Sequence, residues 1–482
     1  MKHPTHTRRV IRHISILFLL LAIVPTEAAA KDIRLLSTST FRGFVRPGPG
    51  ETTGDLYPFY EMVKLNARNL GVPGLSVQAS LWGRIDFLDV PLEEHRATGD
   101  VNILLLTYRG QVKTALEGLE IRVGRQFVSA GPSTYDQIDG AFVRYRSPWH
   151  VDLTTYAGLN TGIRFTRQPW AVSNNDLRYA GNWVAGGRLG YRLLDWANVG
   201  VSYRHKRYNG EVAFNELGWD LAFFAFKNIT LIGDGVVELT SQRLKEGKAS
   251  LRMDITKKIA TNVGYRYSEP DLFIPRTSIF AVISDWTHQE LFLDASWRPR
   301  RWLNISAEGG TLFFGETCTS GAIGGGICDD ATIEIRTQLR ADMRFGSERQ
   351  HRLSLVAERY GAPDGGYTRG RVAGVVRLAE HLSAIADIDF FYLDKRDATS
   401  GYVDISEKSR FSFTGSGYLA YGILPTLTVL AGGQGGSSPY LKNFGSFIVR
   451  LTWLIDGAPI QGAVRVNRST DPSPSLQGGV LR

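Results

Sequence analysis

The chain has 482 residues, of which 21% are charged and 11% aromatic, and its formal net charge is +9. Its mean hydropathy is -0.13. Beyond the first 30 residues, no apolar stretch approaches the ~20 residues that a transmembrane helix needs, which excludes a helical membrane protein. The modest positive charge fits an anionic partner, and we expect no nucleic acid among the partners.

Residues 1–30 have the features of a secretory signal peptide, and we expect cleavage after Ala30. An apolar run, Ile14–Val24, is too short to span a bilayer and ends near three alanines. The basic residues before it are Lys2, Arg8, Arg9 and Arg12. A twin-arginine signal at Arg8-Arg9 is an alternative to an ordinary basic region. Removing the peptide leaves 52 basic and 46 acidic residues, a net charge of +6.

The rest of the chain alternates apolar and polar residues in segments of about ten residues. In one segment, Phe447, Val449, Leu451 and Trp453 alternate with Ser446, Arg450 and Thr452. Another, residues 331–345, alternates isoleucine, leucine, alanine and methionine with glutamate, arginine, glutamine and aspartate. Such a repeat is typical of strands that have one face against lipid and one against a polar lumen.

The alternation predicts an all-β protein: a single transmembrane antiparallel β-barrel over residues 31–455, with about 22 strands and a range of about 18 to 24. A β-sandwich is the alternative, but it would not need strands this numerous and evenly long. The predicted strand centres lie near residues 39, 63, 80, 106, 122, 142, 153, 186, 202, 217, 235, 250, 264, 292, 307, 338, 356, 373, 388, 413, 430 and 449.

Short links alternate with long ones, as in barrels with short periplasmic turns and longer extracellular loops. This alternation predicts that both termini lie in the periplasm. Residues 456–482 contain three prolines and little periodicity, and we expect them to form a flexible periplasmic tail. Four tryptophans near the proposed turns predict an interfacial girdle. They are Trp149, Trp196, Trp302 and Trp453.

The two cysteines, Cys318 and Cys328, lie in a glycine-rich link that we expect to be an outer loop. An oxidising compartment makes a local disulfide the main hypothesis. A metal site that also uses Asp329 and Asp330 is a weaker alternative, and we expect no metal and no cofactor.

The polar face of the predicted strands defines the charge of the lumen. Basic residues dominate between residues 60 and 210, opposed mainly by Asp86, Glu120 and Asp152, whereas acidic residues dominate from about 211 to 310. Two such arcs would set up a transverse field across a pore. The alternative is that these charges form structural pairs inside a closed lumen. The predicted channel-lining residues are Arg84, Arg122, Arg144, Arg146, Arg188, Arg192, Arg204, Arg336 and Arg340.

One stretch resembles known families. Residues 119–126, LEIRVGRQ, precede an acidic, glycine-containing loop and the segment DGAFVRYRSPWHVDLTTYAG. Together they resemble substrate-specific porins of Gram-negative bacteria and the alginate-export barrels, over about 40 residues. The resemblance implies an arginine-lined channel for anionic polysaccharide, with Arg122 and Arg144 lining it and Arg125 at the rim. The alginate-export family has fewer strands than the 22 predicted here, and it lacks the C-terminal tail.

These observations lead to the hypothesis of an outer-membrane channel that passes or exports anionic solutes, including exopolysaccharide. The alternative is a structural barrel that anchors an envelope-spanning complex. The absence of a plug domain before the first predicted strand argues against a siderophore-type receptor. We expect lipid, lipopolysaccharide and the barrel assembly machinery as partners, together with a periplasmic export or envelope complex bound through the tail.

We do not expect an enzyme. The histidines are scattered singly, and no GxSxG or HExxH motif occurs. One candidate catalytic pair, His205 and Asp220, could meet on neighbouring strands.

Overall fold

The structure is a computed structural model, and it describes most of the chain between Ala30 and Asp456. The predicted signal peptide, except for Ala30, and the predicted tail, except for Asp456, lie outside the described residues and remain predictions. The described residues are 30–45, 57–87, 97–111, 114, 116–133, 135–161, 181–193, 196–208, 210–269, 287–315, 317–319, 327–329, 331–347, 349–361, 366–394, 410–437 and 443–456.

These residues form 24 strands, 22 of which make one sheet. The first half of the sheet contains β1 (Ala30–Val45), β2 (Pro58–Leu70), β3 (Leu75–Asp86), β4 (Ala97–Arg109), β5 (Leu119–Val128), β6 (Asp136–Arg146), β7 (Val151–Asn160), β8 (Trp183–Leu193), β9 (Ala197–Tyr208), β10 (Glu211–Phe226), β11 (Ile229–Glu238) and β12 (Arg243–Thr256). The second half contains β13 (Ile259–Ser268), β14 (His288–Arg300), β15 (Leu303–Phe314), β18 (Thr332–Phe345), β19 (His351–Tyr360), β20 (Tyr367–Ala379), β21 (Leu382–Leu393), β22 (Phe411–Leu424), β23 (Leu427–Ser437) and β24 (Phe444–Asp456).

Each strand of this sheet pairs antiparallel with its neighbours in sequence, and β1 pairs with β24 to close the barrel. The closing register runs from Arg34 opposite Asp456 to Val45 opposite Gly445. All of the predicted strand centres fall within these 22 strands, which confirms the predicted fold and excludes the sandwich. Closure leaves no free sheet edge, so the backbone polar groups are satisfied within the sheet.

The outer face of the barrel is apolar and exposed. On β18, Ile333 is 68% exposed and Ile335 is 59% exposed, whereas the residues between and after them are charged or polar. On β24, Phe447, Val449 and Trp453 are exposed in the same way. A soluble protein buries such side chains, so this belt has lipid as its solvent, and the alternate residues face the lumen.

The two ends of the barrel differ in the length of their links. Two-residue turns join β12 to β13, β14 to β15, β20 to β21 and β22 to β23, whereas the longest links lie at the opposite end. The four predicted girdle tryptophans are exposed and lie at the short-turn end. At the long-loop end, the Phe41 ring contacts those of Tyr57, Phe87 and Phe447, with centroids 5.6 to 6.5 Å apart. Two aromatic girdles thus bound the apolar belt.

Two short strands that the sequence did not predict lie in the link after β15. They are β16 (Thr317–Thr319) and β17 (Ile327–Asp329), and their register places Cys318 opposite Cys328. The cysteine side chains lie outside the described residues, so the disulfide remains a prediction. Among the described residues, no helix is long and apolar enough to cross a membrane.

Candidate functional site: the barrel lumen

All nine predicted arginines lie on the lumen-facing register. Arg122, for example, lies between Ile121 and Val123 on β5, and the partners of these two residues on β4, Tyr108 and Leu106, belong to the outer face. The same parity holds for Arg84, Arg144, Arg146, Arg188, Arg192, Arg204, Arg336 and Arg340. The parity follows from strand geometry, because successive side chains point to opposite faces.

Most of these arginines are paired with carboxylates. Arg84 contacts Asp86 at 2.7 Å, and Arg122 contacts Glu120 at 3.3 Å. Arg144 also pairs with Asp152. We call the lumen-facing side of β5 to β21, with the ion pairs on it, the ion-paired wall. It agrees with the alternative in which the lumen charges are structural pairs.

The predicted basic and acidic arcs meet between β8, β9 and β10, where they neutralise each other. Arg188 donates to both oxygens of Asp220, at 2.9 and 2.6 Å, and Arg204 donates to Glu216 at 2.9 Å. The predicted transverse field is therefore weakened at this boundary, because each charge has its counterion within contact distance.

The ion-paired wall continues through β18 to β21. Arg336 contacts Glu308 at 2.7 Å, and Arg340 contacts Asp342 at 2.8 Å. Further pairs were missed by the sequence analysis: Arg369 contacts Asp389 at 2.6 Å, and Arg371 pairs with Asp387. Their alternation with apolar residues on β20 and β21 was a signal that could have revealed them.

Two of the predicted arginines are more available to solvent. The Arg146 side chain is 62% exposed, and its contact with Asp152 is long, at 3.3 Å. Arg192 is exposed, and none of the carboxylates that the structure describes pairs with it. Both residues lie at the short-turn end, so they border the mouth of the lumen rather than its middle.

Three arginines in the stretch that resembles known families lie on two different faces of the sheet. Arg122 and Arg144 face the lumen, whereas Arg125 lies on the opposite register near the long-loop end of β5. There its guanidinium contacts Asp139 at 2.7 Å and Asp100 at 3.0 Å. Arg125 therefore lies at the rim.

The link between β5 and β6 folds into the lumen. The structure describes its residues 129–133 and 135. Ser133 Oγ lies 3.0 Å from the Oγ of Ser202, a lumen-facing residue in the middle of β9, and Arg204 donates to the Ser133 carbonyl at 3.2 Å. Gly131 has a φ of +81°, and a Cβ there would lie 2.6 Å from Ser202 Oγ. This inward loop thus lies directly against the wall formed by β8 to β10.

A buried charge cluster holds the base of the inward loop. Asp136, the first residue of β6, contacts Arg204 at 2.9 Å and Lys206 at 3.0 Å. Glu216 contacts the same Arg204 at 2.9 Å and Lys245 at 2.7 Å. The side chains of Asp136 and Glu216 are only 2% and 1% exposed, so the charges depend on each other for stabilisation. The sequence analysis did not include Asp136 among the lumen charges.

Apolar residues fill the lumen face beneath the inward loop. Val128, Ile138 and Val184 are fully buried there, and Phe142 and Tyr156 are nearly so. In a membrane barrel the lumen face is usually polar, so this cluster marks a part of the lumen that excludes water. The Arg122 guanidinium lies 3.7 Å from the centroid of the Phe142 ring, at the border of the cluster.

A second part of the lumen wall has few charges. The lumen-facing residues of β22, β23, β24 and β1, which we call the neutral wall, are mainly serine, threonine, glycine and apolar residues. Three of them are arginines: Arg34 and Arg42 on β1, and Arg450 on β24. Arg34 lies near the short-turn end. Of the carboxylates that the structure describes, none pairs with Arg42 or Arg450. Arg450 donates to Thr40 Oγ1 at 3.3 Å, and Arg42 lies over the Phe44 ring, 3.9 Å from its centroid.

The candidate catalytic pair does not form. His205 is in the outward register of β9 and contacts the Trp183 ring at a tilt, with ring centroids 5.1 Å apart, whereas Asp220 faces the lumen and pairs with Arg188. The two side chains lie on opposite faces of the sheet. Within the described residues, no group of three His, Cys, Asp or Glu side chains could hold a metal ion.

Comparison with solved structures finds large barrels of bacterial outer membranes. The siderophore receptor PirA from Pseudomonas aeruginosa matches with a TM-score of 0.55 and 9% identity, over 88% of this chain and 80% of its own. The ferric enterobactin receptor PfeA from the same organism, a variant in complex with enterobactin, matches with a TM-score of 0.57 and 11% identity, over 89% and 82%. The translocation pore of the P pilus usher PapC matches with a TM-score of 0.46 and 11% identity, over 87% and 99%.

The fold is that of an outer-membrane β-barrel. Together with the apolar belt and its two aromatic girdles, it places the chain in the bacterial outer membrane. Neither a comparison with protein-family models nor one with curated proteins finds a match. The alginate-export resemblance is therefore not supported beyond the residues that carry it.

Proposed function

We propose that this chain is an outer-membrane channel that conducts anions in preference to cations. The observation that carries the proposal is the pair of uncompensated guanidiniums, Arg42 and Arg450, on the neutral wall. Charges that have a counterion in contact contribute little to the potential along a pore. Charges that have no counterion in contact attract ions of the opposite sign and repel ions of the same sign.

The width of the barrel supports an open path. A barrel of more than about sixteen strands has an interior too wide for its wall side chains alone to fill. The inward loop and the apolar cluster beneath it occupy lumen space against β5 to β10. The neutral wall lies on strands beyond that region, so we place the conducting path along it.

The same path suits an extended anionic polymer such as an exopolysaccharide, passing outward or inward. A polymer needs a continuous path with few bulky side chains, and the serine, threonine and glycine residues of β22 to β24 provide one. A scaffold that anchors an envelope complex is the alternative function, and it requires no conduction.

The test is the zero-current potential of the refolded mature protein in a planar bilayer under a potassium chloride gradient. We expect discrete conductance steps and a potential that shows chloride preference. The double variant Arg42→Gln/Arg450→Gln should lose most of that preference, because it removes the two uncompensated charges that lie along the neutral wall, inside the mouth of the lumen. A matched control, Arg371→Gln/Asp387→Asn, removes a compensated pair and should leave the potential within experimental error of the unmodified protein.

Two results would contradict the proposal. A folded barrel that conducts no ions would favour the scaffold function. A Gln double variant with unchanged chloride preference would show that the neutral wall does not set selectivity.

A further inference from the structure

We propose that the neutral wall contains a binding site for organic carboxylates that carry a ring, centred on Arg42, Arg450 and Tyr418. The proposal rests on the function proposed above, because the site faces the path along which anions would pass. It goes further by naming the chemistry of the ligand and the residues that hold it.

The two guanidiniums are diagonal neighbours on the lumen face. Arg450 lies opposite Thr40 on β1, and Arg42 is the next lumen-facing residue along that strand. Diagonal neighbours across antiparallel strands are about 7–8 Å apart, a span that one carboxylate can bridge with long side chains. Because a guanidinium presents several donors in a planar fork, two of them suit the two oxygens of a carboxylate.

The positive charge at this position is not compensated. Arg42 Nε is buried and has no hydrogen-bond acceptor, and Arg450 uses its Nε on the neutral Thr40 hydroxyl. Because Arg42 and Arg450 are diagonal neighbours on one face, their like charges repel each other. Two like charges held together in a partly buried place favour the binding of an anion, since a bound carboxylate would relieve both the repulsion and the lost solvation.

An aromatic ring lies beside the two charges. Tyr418 on β22, Gly432 on β23, Ile448 on β24 and Arg42 on β1 occupy one row across four strands. Gly432 has no side chain, and a Cβ there would lie 2.0 Å from the Gly417 carbonyl oxygen and 2.7 Å from Tyr418 Cδ1, so the tyrosine ring borders this position. Among the described residues, the Tyr418 hydroxyl has no hydrogen-bond partner. The ring offers a flat surface and the hydroxyl a polar group to the ligand body.

One row nearer the long loops, Gln434 and Ser446 lie opposite each other on the lumen face. Their amide and hydroxyl groups are neutral donors and acceptors that suit hydroxyl groups on a ring. The combination of a guanidinium pair, one ring and neutral polar groups fits a sugar acid or an aromatic acid. Inorganic phosphate could use the arginines but not the ring.

The experiment is isothermal titration of the refolded, full-length mature protein with D-glucuronate, benzoate, inorganic phosphate and uncharged glucose. We expect one or both carboxylates to bind, phosphate to bind more weakly, and glucose not to bind. Arg450→Gln should weaken carboxylate binding at least tenfold, because it removes half of the guanidinium pair. Tyr418→Leu should also weaken it, because the variant lacks the aromatic ring.

The control Arg371→Gln/Asp387→Asn should leave binding unchanged. Preference for D-glucuronate over benzoate would identify a sugar acid as the ligand, and the reverse an aromatic acid. Phosphate binding as tight as that of the carboxylates, or carboxylate binding that survives Arg450→Gln, would overturn the site. Titration does not depend on conduction. A protein that binds carboxylates but does not conduct would contradict only the channel function, and a conducting, chloride-selective protein without binding would contradict only the site.

Discussion

The ion-paired wall and the neutral wall face the same lumen, but they treat charge in opposite ways. On β5 to β21, arginines are numerous and most contact a carboxylate, as Arg188 does with Asp220 and Arg371 with Asp387. On β22 to β24 and β1, charges are rare and two of them have no counterion. The number of arginines on a pore wall therefore says little about its ion selectivity. What matters is whether each arginine has a carboxylate counterion in contact.

A physical reason explains the division. A long, flexible arginine can reach a carboxylate two positions along its own strand, as Arg340 does with Asp342, or one on a nearby strand, as Arg204 does with Glu216. Pairs of the second kind cross-link the strands. The cluster of Asp136 and Glu216 extends this principle to the inward loop. On the neutral wall, the lumen-register carboxylates among the described residues, Asp32 and Asp456, lie at the short-turn end. Around Arg42 and Arg450 the strands are therefore joined mainly by backbone hydrogen bonds.

The largest effect is expected from breaking the buried cluster on the ion-paired wall. Asp136→Asn removes the counterion of Lys206 and one of the two counterions of Arg204, and such a loss typically costs about 3–5 kcal/mol in a buried pair. The inward loop should then leave the wall for part of the time. We expect single-channel steps that are larger, and more variable, than those of the unmodified protein in a planar bilayer.

Asp387→Asn is the matched control, because it breaks an ion pair of the same wall that does not hold the inward loop. Its conductance steps should stay uniform and of normal size. Equal effects of the two substitutions would mean that the loop does not limit conduction.

An intermediate effect is expected from fixing the loop in place. Ser133→Cys/Ser202→Cys replaces two hydroxyl groups whose oxygens are 3.0 Å apart, so an oxidised pair can form. In the Asp136→Asn background, oxidation should restore uniform steps and reduction should abolish them. Oxidation without any effect in that background would show that the loop stays on the wall without Asp136.

The smallest effect is expected at the rim, where solvent weakens ion pairs. Asp394, in the link after β21, accepts from Arg359 at 2.9 and 2.6 Å and from the Gly366 amide at 3.0 Å. These contacts lower the pKa of Asp394, with the Arg359 hydrogen bond as the main cause. The pair therefore stabilises the folded state above the ordinary carboxyl pKa of about 3.9, and this contribution is lost as pH falls through the lowered pKa.

Asp394→Asn should accordingly reduce the free energy of unfolding by at most about 1 kcal/mol at pH 7, and the difference should shrink toward zero in strong acid. Urea unfolding in lipid vesicles, followed by the mobility shift of the folded barrel on gels, measures both values. A difference that grows in acid would contradict the assignment. A loss of free energy of unfolding much larger than about 1 kcal/mol at pH 7 would mean that this exposed pair behaves like the buried cluster.

The fold could be predicted from sequence, because the dyad pattern of apolar residues marked all 22 barrel strands. The same parity placed the nine arginines on the lumen face. Their partners were harder to predict, since Asp136 and Arg204 are 68 residues apart and only the stagger of several strands brings them to one height. The inward loop carries only turn signals, such as Gly131 and Pro132. Strands β16 and β17 were missed because three residues are too few to show alternation.

The pairing of β1 with β24 also sets the order of events during biogenesis. The first strand to be synthesised must wait for the last, with its hydrogen-bonding edge exposed until β24 arrives. Every intermediate therefore has two open edges, and contacts between such distant parts of the chain form slowly. A chain truncated before β24 could satisfy neither edge in lipid, so even a short loss at the end of the barrel would prevent closure of the whole.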